Sequence, residues 1–160
     1  MPKSTKNAAL ICIILTVIAG VGVVIGIWKQ SPLAAIIGMV PAVIYEVYRT
    51  EGFTTKLASV GMLVVLVALV VMIAMNLSFS LAPYLSKFGI TRAVDAKLAG
   101  PVIIAVLAVI LLRRTAGIYT KWLAVIIFLA AVGLFYVLDP SIFQLILNLG
   151  AREGMKRVGR

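Results

Sequence analysis

The sequence predicts an all-α integral membrane protein: a bundle of four to five transmembrane helices, the second re-entrant or kinked at Pro41, with short interfacial helices attached. Three observations carry this. Of the 160 residues, 63% are apolar and 12% charged, whereas a soluble domain is nearer half apolar and a quarter charged. The apolar residues stand in long blocks, without the alternation of a half-buried strand. The blocks are separated by short connections with helix-start signals, Ser31-Pro32 and Asp139-Pro140.

The first block, residues 8–28, carries no charge. About 21 residues at about 1.5 Å rise cover about 31 Å, the thickness of a hydrocarbon core. Lys3 and Lys6 resemble the basic start of a secretory signal, but no small-residue cleavage site follows, so a retained helix is expected. Ser31 as N-cap and Pro32 at the first helical position then open a second helix, 32–48, making a tight hairpin. Pro41 lies inside it and removes a ladder donor, with Gly38 easing the expected bend. That block is barely long enough to cross, and a re-entrant half-membrane hairpin is the competing reading.

The third block, 57–79, is the longest, with Asn76 near its end. Segment 80–97 alternates apolar and basic residues and is expected to lie partly at the interface. The fourth helix is read as 93–112, borrowing Ala93 and Val94 and letting Arg92 or Lys97 snorkel. The fifth, 122–138, is closed by Asp139. A short amphipathic helix over 140–149 is too brief to cross and is expected at the headgroups or folded back on the bundle. Residues 1–149 thus read as one transmembrane domain and 150–160 as a basic tail. Such a tail is ordinarily disordered.

Composition excludes most chemistry. There is no His, so imidazole haem, copper and zinc sites and His general-base catalysis are unavailable within the chain. Cys12 is the only Cys and cannot form an intramolecular disulfide. No Walker, Rossmann or H-E-x-x-H pattern occurs, and Asp139 and Glu153 are not placed as a carboxylate pair. Neither an enzyme nor a cofactor is expected. The net charge of +10 would suggest nucleic acid in a soluble protein, but here the basic residues flank apolar blocks. Anionic lipid headgroups are the expected partner and nucleic acid is not.

Three constellations remain. On the first helix Ala8, Cys12, Thr16 and Gly20 follow at i+4 spacing, and Gly22 and Gly26 form a G-x-x-x-G pair. Small residues let helices approach closely, either within the chain or against another subunit or a second copy. Glu46 is the only acid inside an apolar block, with Arg49 three residues on. An interfacial ion pair between flanking tyrosines is the plain reading; with a re-entrant second block, Glu46, Pro41 and Asn76 become candidates to line a pore or ion site. Arg113 and Arg114, with Arg152, Lys156, Arg157 and Arg160 in the tail, are candidates for lipid or partner contact.

With five crossings, Lys3, Lys6, Arg49, Lys56, Arg113, Arg114 and Lys121 share one side, against Lys29, Lys87, Arg92 and Lys97 outside the tail. This favours a cytoplasmic N-terminus, while the tail charges remove the bias. The short loops suggest a prokaryotic plasma (inner) membrane. The function expected is that of a non-catalytic accessory subunit or scaffold assembling into a larger membrane complex. The alternative is a small homo-oligomeric channel, transporter or holin-like pore.

Overall fold

The computed structural model describes residues 7–77, 96–141 and 144. Lys3, Lys6, Ser78 and the 80–95 connection lie outside them, as do most of 140–149 and the tail with Arg152, Lys156, Arg157 and Arg160. The described chain is all-helical, with five helices long and apolar enough to cross a membrane. They are α1 (Ala8–Lys29), α2 (Pro32–Arg49), α3 (Phe53–Ala74), α4 (Ala99–Arg114) and α5 (Ile118–Leu138), the fourth reaching crossing length only together with the 3₁₀ turn Ala96–Leu98 that leads into it.

Helix boundaries depart from the expected blocks in three helices. α3 ends at Ala74 and not at 79, α4 begins at Ala99 and not at 93 and runs on through Arg113 and Arg114, and the starts of α3 and α5 are set by glycines. Gly52, at φ 106, precedes α3, and its carbonyl accepts from Lys56 N–H at 2.8 Å. The helix therefore begins at Phe53 and takes Lys56 into its first turn. Gly117 does the same for α5, accepting from Lys121 N–H at 3.0 Å. Reading helices as charge-free runs placed both starts four residues late, because a helix end at the interface accommodates lysines whose amines reach water. The second block is one uninterrupted helix through Pro41.

Two helices end in the same way. Gln30 stands in the left-handed region at φ 49, with Gln30 N–H donating to Ile27 O and Ser31 N–H to Gly26 O. Asn76, at φ 52, repeats the arrangement: its own N–H donates to Ile73 O and Leu77 N–H to Met72 O. These are Schellman closures, which satisfy carbonyls left over at a helix end. Ser31 precedes Pro32 as expected but makes no side-chain cap bond. Asp139 does cap: its Oδ1 accepts from Ser141 N–H at 3.0 Å.

Contacts fix the helix directions. Gly22 meets Gly38 and Gly26 meets Ala35, so α1 and α2 are antiparallel; Gly61 faces Leu107 and Gly100 faces Leu69, so α3 and α4 are too. Cys12 reaches Tyr119 and Thr16 reaches Trp122, so α1 and α5 run parallel. The helices form a ring in chain order, closed by α1 against α5 and crossed by contact between α2 and α5. One end of the bundle gathers the start of α1, the α2–α3 turn and the α4–α5 turn. The other gathers the α1–α2 turn and the start of α4.

α2 is the least apolar and most enclosed of the five. Between the two ends the interior is filled by apolar side chains from several helices, with Ile36, Met39, Met62, Leu66, Ile104 and Ile127 all essentially inaccessible. In lipid, such packing must come from shape, since lipid tails are as apolar as leucine.

Candidate functional site

The polar residues concentrate at the end shared by the α2–α3 and α4–α5 turns. Glu46 is 0% exposed and Arg49 5%, and Thr50, Thr55, Ser59 and Thr120 are buried beside them. Glu46 and Arg49 come one turn apart on α2, and α2 is walled by α1, α3 and α5, so the pair faces the interior. The sequence expectation of an interfacial ion pair concerned depth along the helix and did not foresee this enclosure. Helix ends predict depth along the axis but not which face a neighbour covers, and here neighbouring helices enclose it.

The pair is incompletely satisfied. Thr50 Oγ1 donates to the Glu46 backbone carbonyl and lies 3.3 Å from Glu46 Oε1. Glu46 Oε2 has no hydrogen-bond partner, and neither do Nε and Nη1 of Arg49. The two side chains therefore do not close into a two-bond fork. The guanidinium instead sits over the Tyr119 ring, with Cζ 5.1 Å from its centroid, a cation–π contact. Arg49 at the C-terminus of α2 complements the helix dipole, and Glu46 opposes it.

The neighbouring hydroxyls mostly satisfy their own helices. Thr55 Oγ1 donates to Glu51 O at 2.8 Å, Ser59 Oγ to Thr55 O at 2.7 Å and Thr120 Oγ1 to Gly117 O at 2.7 Å. This back-bonding hides a hydroxyl in an apolar setting rather than presenting it to a ligand. Above the pair lies a polar recess of about 160 Å³, lined by Thr50, Glu51, Thr55, Arg114, Thr115 and Thr120. Thr50 belongs to both the recess and the Glu46 environment. Among the described residues no three His, Cys, Asp or Glu side chains gather to hold a metal.

The other candidate residues separate in space. Cys12, Gly22 and Gly26 lie on the buried face of α1. Thr16 is half-buried and Gly20 exposed, so the i+4 stripe splits. The buried set follows Cys12, Leu15, Ala19, Gly22 and Gly26, alternating steps of three and four. Thr16 Oγ1 donates to Cys12 O at 2.7 Å and accepts from Trp122 Nε1 at 3.1 Å. Pro41 is half-buried within α2, and Asn76 is exposed at the opposite end from Glu46. Glu46, Pro41 and Asn76 do not share a surface.

Arg113 and Arg114 also diverge. Arg114 lines the polar recess, whereas Arg113 closes one end of a separate apolar groove of about 520 Å³ between α4 and α5. Sequence reasoning missed Thr50, whose i+4 spacing from Glu46 is a readable signal, and Gly38 as the counterpart of Gly22. It also missed Tyr119 and Thr120, whose proximity to Arg49 and the recess comes only from the packing of α5. No known family model, curated protein or solved structure matches the chain.

Proposed function

We propose that the protein is a non-catalytic, multi-pass membrane subunit that assembles with other membrane subunits into a larger complex. The observation that carries this reading is the closed interior. Fully buried Ile36, Met39, Met62, Leu66, Ile104 and Ile127 fill the bundle beyond the Glu46–Arg49 pair, so the polar end does not continue as a path through the chain among the described residues. Glu46 faces inward and is unavailable to line a pore between copies. The buried pair instead ties the end of α2 to α5 through Tyr119.

The glycines of α1 do not supply the assembly surface, since Gly22 and Gly26 already pack against α2. Assembly falls to outward apolar faces, such as Ile13, Val17, Val21 and Val24 on α1. Native mass spectrometry of tagged protein, extracted from its own membrane in mild detergent, tests this. Foreign subunits in fixed ratio are expected. A discrete monomer or homo-oligomer without foreign protein overturns the reading.

A second reading, a small homo-oligomeric channel, transporter or holin-like pore, draws support from one observation. Glu46 Oε2 is buried without a partner, and an ionisable group inside a membrane helix is a functional candidate. Proteoliposome flux that Glu46→Gln abolishes would favour it; flux unchanged by that substitution would remove Glu46 from the path, and no flux from the wild type would remove the reading.

A further inference from the structure

We propose that the groove between α4 and α5 binds one anionic phospholipid, with an acyl chain lying along the groove and the phosphate held by Arg113 and Lys121. The inference rests on the bundle standing in a bilayer and not on its assembly with other subunits.

The groove has the dimensions and polarity of a single lipid chain. Its volume is about 520 Å³, and it runs from Pro101 through Ala105 and Val109 to Arg113 on α4, against Phe128 and Phe135 on α5. Twelve residues of helix cover about 18 Å, slightly more than half of a hydrocarbon core about 30 Å thick. A chain entering at one interface would therefore lie along the groove to just beyond the midplane. Small Ala105 and Ala131 lie between bulkier neighbours in the lining.

The balance of charge distinguishes the two ends: beyond Pro101 and Phe135 stand one cation and one anion, Lys97 and Asp139, each four residues further out along the chain, whereas the other end of the groove is purely cationic. Arg113 is the one charged residue of the lining, and it stands at the interface where α4 ends. Lys121 precedes Phe128 by seven residues and Phe135 by fourteen, which places it on the same face of α5, two turns nearer that interface. Both are exposed. Arg114 turns away into the recess that contains Glu51 and Glu46 is enclosed in the interior, so among the described residues neither acid of this end lies on the groove. An apolar slot with two cations at its headgroup end matches an anionic phospholipid. A transmembrane helix from a partner needs the slot but not the cations.

The test is native mass spectrometry of full-length, delipidated protein in detergent, with phosphatidylglycerol or phosphatidylcholine of identical chains added. One phosphatidylglycerol should be retained in preference to phosphatidylcholine by on the order of tenfold, as two surface cations imply. Arg113→Gln/Lys121→Gln should bring the two lipids to near parity, whereas Lys29→Gln at the opposite end should leave the preference intact. Val106→Trp should remove retention of both lipids; Val106 lines the groove and is 54% exposed, so the larger side chain fills the slot without entering the core.

Equal retention of the two lipids by the wild type, or a preference that survives Arg113→Gln/Lys121→Gln, overturns the headgroup assignment. Lipid retention unaffected by Val106→Trp overturns the groove. If Val106→Trp instead releases a foreign subunit from the native complex while added lipid never binds the wild type, the groove belongs to a partner helix. Because lipid retention is read on the isolated chain, its failure is distinct from failure to recover partner subunits.

Discussion

Gly22 on α1 and Gly38 on α2 are in backbone contact: a Cβ built on either would lie 2.7 Å from the other's Cα. The same Cβ on Gly22 would stand 3.1 Å from Ala34 O, and one on Gly38 3.0 Å from Ile18 O. No side chain can turn aside to make room, so only glycine permits this crossing. One turn further, a Cβ on Gly26 would meet the Ala35 Cβ at 2.9 Å and its backbone N at 3.2 Å. The G-x-x-x-G pair of α1 is thereby engaged within its own hairpin.

Gly22→Ala and Gly38→Ala should each destabilise the bundle by about 1–3 kcal/mol, the range for overpacking a tight site. Gly20→Ala should be close to neutral, since nothing lies within 4 Å of its added Cβ. Thermal unfolding in one detergent compares the three directly. Equal melting temperatures for the Gly20 and Gly22 variants would contradict the crossing.

Gly100 provides a contrast. Its added Cβ would meet Leu69 side-chain atoms at 2.5 Å rather than backbone, and leucine has other rotamers. Gly100→Ala should therefore lower the melting temperature less than Gly22→Ala, and Leu69→Ala should relieve part of that loss when combined with it. A double variant no better than the sum of the singles would exclude a direct clash.

The buried pair at the end of α2 predicts strong coupling. Arg49→Ala leaves Glu46 enclosed without its nearest cation, and Glu46→Ala leaves the guanidinium over Tyr119 alone. Each should lower the melting temperature, by less than the roughly 3–5 kcal/mol expected for breaking a hydrogen-bonded buried pair, because Glu46 Oε2 and Arg49 Nε and Nη1 have no partner to lose. Glu46→Leu/Arg49→Met together should recover most of the loss, because apolar replacements need no partner. Additive melting shifts in this double-mutant cycle would show that the two groups do not act as a pair.

Asn76 has a local task. In the left-handed region asparagine is tolerated and glycine favoured, while a β-branched residue is strained by about 1–2 kcal/mol. Asn76→Gly should preserve the melting temperature and Asn76→Val should lower it. Loss of stability in Asn76→Gly equal to that in Asn76→Val would point to a side-chain contact instead of a helix stop.

Much of this architecture follows from the order of residues. Length and lack of charge set α1, Ser31-Pro32 set the hairpin turn, and Asp139-Pro140 set the end of α5, because the relevant interactions lie within a few residues of one another. The starts of α3 and α5 were legible in principle at Gly52 and Gly117, but hydropathy alone stops at the nearest lysine. That Asn76 also closes α3 was not legible, because it depends on its φ.

By itself the sequence determined a helical chain with four to five segments able to cross a membrane, no histidine and a strongly basic balance. Tertiary structure decided which faces of those helices meet. It turned Gly22 toward Gly38 and left Gly20 outside, enclosed Glu46 and Arg49 with the guanidinium over Tyr119, and sent Arg113 and Arg114 to different surfaces. In membrane helices both lipid-facing and core-facing positions are apolar, so periodicity scarcely marks the buried side. Close backbone approach and the few polar contacts select it, and both depend on residues distant in the chain.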